Sequence, residues 1–157
     1  MQQSAEWEQG IEAPVRESDA SMIWSDARVL GFASMDDTHK EFYEVAFRLV
    51  TCTDATALEA ITQFETHAIS QEDEWMRSTS FPPRECHIRE HSAVLVSVRE
   101  VREAVEGGRA GADLAHELGM NLFNWFPGHA DYLDSALAAW MTKRAMGGKP
   151  VVFRRSL

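Results

Sequence analysis

The chain has 157 residues, of which 45% are hydrophobic and 25% charged, and its formal net charge is −10. That composition fits one globular domain with a single core and not a disordered chain. The acidic balance speaks against a nucleic-acid or anionic-membrane surface, because both need a basic patch.

Residues 1–22, beginning "MQQSAEWEQG", are polar, acidic and without periodicity, so they read as an N-terminal arm. They contain no basic stretch followed by an apolar run, the pattern of a secretory signal. No later segment reaches the roughly 20 apolar residues that span a bilayer. The two cysteines, Cys52 and Cys86, are too few for a disulfide scaffold and read as free thiols. Together these features suggest a cytoplasmic protein.

A connector, "WSDARVLGFAS", leads from Trp24 to Ser34. The first predicted helix covers about 36–51, with Ser34, Asp36 and Asp37 as caps and first-turn acids. His39, Phe42, Ala46 and Leu49 form its apolar stripe at steps of three and four. The second starts after Thr53 or Asp54 and ends before Pro82-Pro83, a pair that cannot continue a helix. The third covers about 84–105 and stops at Gly107-Gly108. Its stripe begins with His87 and His91 and continues through Val98 and Val101. The fourth covers about 113–146, with Leu118, Leu122, Trp125, His129, Leu133, Leu137 and Trp140 on one face. Pro127 should bend or open it, since proline removes a backbone donor. Residues 149–157 form a short basic tail. No segment alternates like a strand. The predicted fold is all-α, an up-down-up-down four-helix bundle over residues 23–148.

Four of the six histidines, His39, His87, His91 and His129, fall on core stripes of three different helices. His87 and His91 are four apart, so both rings project from one face. A lone histidine on an apolar stripe is usually a hydrogen-bonded core residue. Several in one small core are costly unless something satisfies them. A metal ion does so, because neutral imidazole is a common ligand. Acids accompany them at Glu72, Asp73 and Asp134. Imidazole with a few carboxylates suits iron, zinc, copper or nickel better than magnesium or calcium. His116 reads as structural or exposed. Cys86 reads as a small buried residue in the turn after Pro83.

The pieces "MDDTHKEF", "EDEWM" followed by "FPP", "CHIREH" and "WFPGHADYLD" resemble, in this order, those of bacterial hemerythrin-like domains. The resemblance covers roughly residues 24–146. It implies a non-haem centre of two iron ions, oxo- or hydroxo-bridged, held by five histidines and two bridging carboxylates. Carried over, the metal ligands are His39, His67, Glu72, His87, His91, His129 and Asp134. The activity implied is reversible dioxygen binding for sensing, storage or delivery, by a binding protein and not an enzyme. The runner-up is a di-iron redox enzyme, or a nitric-oxide or iron-handling protein. Phe64, Trp75 and Trp125 are candidates to line the dioxygen pocket. The sequence identifies no protein partner.

One piece departs from the family pattern. The family has histidine and glutamate four apart on the second helix, whereas His67 and Glu72 are five apart. A one-residue π-type bulge would bring both to one face. Alternatively Gln71 takes the carboxylate position, or His67 has left the site. The bulge keeps both residues of suitable chemistry, and it is the expectation carried forward.

Overall fold

The computed structural model describes residues 22–67, 70–145 and 147. The predicted arm, apart from Met22, and the predicted tail lie outside the described residues. So do Ala68 and Ile69, where the bulge was expected.

A short 3₁₀ turn, Asp26–Arg28, precedes α1 (Ala33–Thr51). The second wall of the bundle consists of α2 (Ala57–His67) and α3 (Ser70–Ser78). The third is α4 (Arg84–Glu106). The fourth is α5 (Ala112–His129), a π-helical turn (Ala130–Asp134) and α6 (Ser135–Ala145). Helix α1 packs on α2 and α5, and α4 packs on α2, α3 and α5. The result is an all-α, up-down-up-down four-helix bundle. Among the described residues there is no strand, and no helix is long and apolar enough to cross a membrane.

The termini show where local rules were outvoted. Helix α1 begins three residues before Asp36, and Asp36 turns its carboxylate back onto the preceding loop. There it accepts the N–H groups of Leu30 (2.8 Å) and Gly31 (3.3 Å). Gly31 sits at φ 91°, a conformation that glycine adopts without a Cβ penalty. Asp54 does not cap α2. Its Oδ1 accepts the N–H of Ala112 at 2.7 Å and so caps α5 across the bundle. Helix α4 starts directly after Pro83 and closes at Gly107, with Gly108 in the left-handed region at φ 71°.

The helices bury two apolar clusters. The larger includes Phe42, Leu49, Ile61, Phe64, Val98, Leu122 and Phe126. The smaller includes Met35, Met76, Phe81, Leu137 and Ala138. Each large side chain so buried contributes about 1.5–3 kcal/mol. Along three of the four walls a polar residue separates the two clusters. Met35, Met76 and Leu137 belong to the smaller cluster, while Phe42, Phe64 and Phe126 belong to the larger. Between them in sequence lie His39, Glu72, and the pair His129 and Asp134, all buried. A polar layer is thus held between two apolar ones.

Candidate metal centre

Each wall delivers its polar residue by ordinary helix geometry except the last. His39 is on α1, Glu72 on α3, and His87 and His91 are one turn apart on α4. His129 and Asp134 are five residues apart, which on an α-helix puts them on different faces. Here the chain forms a π-turn instead, and the Ser135 N–H bonds the Ala130 carbonyl five residues back. Pro127, one turn earlier, has no N–H to give to the regular ladder. The fourth predicted helix is therefore not simply bent at Pro127. It carries an inserted residue between His129 and Asp134, and both side chains point into the core.

The donor atoms of Glu72, His87, His91, His129 and Asp134 all lie within 4.8 Å of one another. The Nε2 atom of His129 is 3.2 Å from that of His87 and 2.9 Å from that of His91. Asp134 Oδ1 is 2.9 Å from His87 Nε2 and 3.0 Å from His129 Nε2. The other oxygen, Oδ2, faces His39 Nε2 at 3.1 Å, and Glu72 Oε1 lies 3.6 Å from the same nitrogen. Asp134 thus stands between a group of three imidazoles and a single one.

A second layer holds the rings. His91 Nδ1 lies 2.7 Å from Asp73 Oδ1, and His129 Nδ1 lies 2.9 Å from Glu90 Oε1. Carboxylates only accept, so each Nδ1 donates a proton to its acid, which leaves each Nε2 as the atom that can offer a lone pair to a metal at the centre. Glu90 Oε1 also accepts the indole N–H of Trp125 at 3.0 Å, and that ring stacks on His129 at 4.2 Å.

Burial disfavours charge on these rings, but the acids prevail. Burial lowers the His39 imidazole, and the contacts with Asp134 and Glu72 raise it to about 9. His129 is raised for the same reason, against burial, by Asp134, Glu90 and Glu72. Burial raises Asp134, yet His129, His39 and His87 hold it well below the usual carboxylate range.

The donor set fits a metal ion. Both nitrogens of His39, both oxygens of Asp134 and Nδ1 of His87 are buried with no well-aligned hydrogen bond among the described residues. Three imidazole Nε2 atoms also converge beside Asp134. A cation between them satisfies all these groups at once.

A cavity of about 10 Å³ remains among His39, Phe42, Glu72, His91, Trp125, Phe126, His129 and Asp134. That is room for about one water. Of the three expected pocket residues, Trp125 lines it. Phe64 is buried against Phe42 at 5.6 Å, and Trp75 packs on Phe32 at 5.1 Å. Neither of these two borders the cavity. Phe42 and Phe126, stacked at 4.6 Å, take their place.

His67 is not brought to the cluster. It is exposed, as is Gln71. Cys86 is exposed on the first turn of α4 and not buried in a turn, because the helix already starts at Arg84. His116 is half-buried, with Nε2 2.7 Å from the Cys52 carbonyl oxygen, and ties α5 to the end of α1. The sequence pointed to Asp73 only as an acid accompanying the histidines, and did not single out Glu90, Phe42 or Phe126 as site residues. Glu90 and Asp73 each stand beside a predicted ligand, which was the available signal.

No protein-family profile matches the chain, and no solved structure matches it. A bacteriohemerythrin of Ralstonia nicotianae (strain ATCC BAA-1114 / GMI1000) is 34% identical over 125 residues. The match covers 77% of this chain and 89% of the relative. The buried cluster of histidines and carboxylates, the bundle that carries it and this identity agree: the chain belongs to the bacteriohemerythrin family.

Proposed function

We propose that the protein holds two iron ions through His39, Glu72, His87, His91, His129 and Asp134, and binds dioxygen there reversibly. Sensing, storage and delivery all use this one property. The observation that carries the reading is the position of Asp134. Its two oxygens face two separate nitrogen groups at 2.9–3.1 Å, as a carboxylate shared by two metals must. Ferrous iron, when bound, supplies the electrons that dioxygen binding takes up.

The chain's own residues supply the rest. Phe42, Trp125 and Phe126 keep the surroundings apolar and leave little space for water. Asp73 and Glu90 fix two rings and keep their Nε2 lone pairs free. The net charge of −10 fits a cytoplasmic protein whose ligand is a small neutral gas. The exposed position of His67 favours a second reading, a redox or nitric-oxide-handling role at an altered centre.

The test is the visible spectrum of deoxygenated ferrous protein exposed to air and then to vacuum. Reversible binding gives a charge-transfer band that appears and then fades. Irreversible oxidation without such a band, together with turnover of peroxide or nitric oxide, supports the second reading.

A further inference from the structure

The two halves of the centre are chemically unequal. On one side three Nε2 atoms and Asp134 Oδ1 make four donors, enough to close a coordination set alone. Two of those rings are anchored by Asp73 and Glu90, which raises their basicity. On the other side stand His39 Nε2, Glu72 Oε1 and Asp134 Oδ2, a single imidazole with two carboxylates. His39 Nδ1 has no hydrogen-bond partner among the described residues, so no carboxylate there anchors that ring as Asp73 and Glu90 anchor the others. The residue positioned to add a second imidazole, His67, is exposed.

We propose that the centre has one tight, nitrogen-rich metal position and one weak, exchangeable position held by His39 and the two carboxylates, with His67 taking no part. This rests on the two-metal reading above. It departs from an evenly held pair. Removing one outer anchor typically weakens a metal about 10- to 100-fold, and the weak side lacks both anchor and imidazole. Nitrogen donors and oxygen donors also select differently among divalent metals. When metal is scarce only the tight position fills. The dinuclear form then appears only as free metal rises, so the fraction able to bind dioxygen follows iron supply.

The experiment is an anaerobic calorimetric titration of the full metal-free chain with Fe²⁺, paired with metal analysis after buffer exchange. Two binding events at least tenfold apart are expected, with about one iron retained after exchange. His67→Ala should leave both events unchanged. His39→Ala should remove only the weak event, and His91→Ala should weaken the tight one, with helical circular dichroism confirming that each variant folds. Two events less than tenfold apart, or loss of one event in His67→Ala, overturns the inference and leaves the two-metal reading standing. A wild-type chain that binds no iron overturns the two-metal reading itself.

Discussion

Glu90 offers a sharp test of how the rings are held. Its Oε1 is the single acceptor for both the His129 Nδ1–H and the Trp125 indole N–H. In Glu90→Ala both donors lose their partner, and His129 is free to rotate or to move its proton to Nε2. Loss of such an outer partner costs about 10- to 100-fold in metal affinity, or roughly 1.4–2.7 kcal/mol. The Glu90 side chain is 39% exposed, so solvent replaces much of what folding loses. The stability change is therefore under about 1 kcal/mol. Glu90→Gln keeps an acceptor oxygen without the charge, and its affinity should fall between those of wild type and Glu90→Ala. Competition with a chromophoric chelator measures the affinity, and thermal melts of metal-free protein measure the stability. An affinity unchanged within twofold in Glu90→Ala, with helicity retained, would refute the role given to Glu90.

Gly119→Ala should destabilise the α1–α5 contact, since a Cβ there would lie 2.7 Å from Val50 Cγ2 and 3.0 Å from Leu49 Cβ. Overpacking of this kind costs about 1–3 kcal/mol, partly offset by about 1 kcal/mol of helix propensity, and a melt should show a lower Tm. Asp54→Ala removes the long-range cap on Ala112 and should cost about 0.5–2 kcal/mol, read by urea denaturation. Metal uptake should depend on pH. His39 is raised to about 9, so in metal-free protein it holds a proton at neutral pH that metal must displace. Affinity at the His39 position should climb about tenfold per pH unit up to about pH 9 and then level off. The sign for stability is opposite. The raised folded-state value stabilises metal-free protein fully below about pH 6.5, and that contribution is lost as pH rises through about 9.

Much of the fold was legible because it is written in helical periodicity. His39, Phe42, Ala46 and Leu49 form a stripe at steps of three and four, and all four are buried. Proline and glycine pairs marked the limits of α4 correctly to within a residue or so. What periodicity cannot report is which distant group answers a local demand. Asp54 looked like a cap for the helix that follows it, yet it caps one 58 positions away. Asp73 stood out only as one of several acids near the histidines and Glu90 did not stand out at all, because the rings they hold belong to other walls.

The instructive pair is His129 with Asp134 and His67 with Glu72, both five apart. In the first, a π-turn takes up the extra residue, and Pro127 has already weakened the ladder one turn before. In the second, Ala68 and Ile69 lie outside the described residues, and His67 is exposed while Glu72 is buried. Identical spacing therefore leads to opposite outcomes for the histidine. Spacing alone carried no information to separate them.

The most direct test of the central claim is anomalous scattering at the iron edge from crystals grown with excess ferrous iron under anaerobic conditions. The account predicts two peaks. One lies among His87, His91, His129 and Asp134 Oδ1, and a weaker one lies among His39, Glu72 and Asp134 Oδ2. A map with no peak in the core, or with peaks only at surface acids, would contradict it.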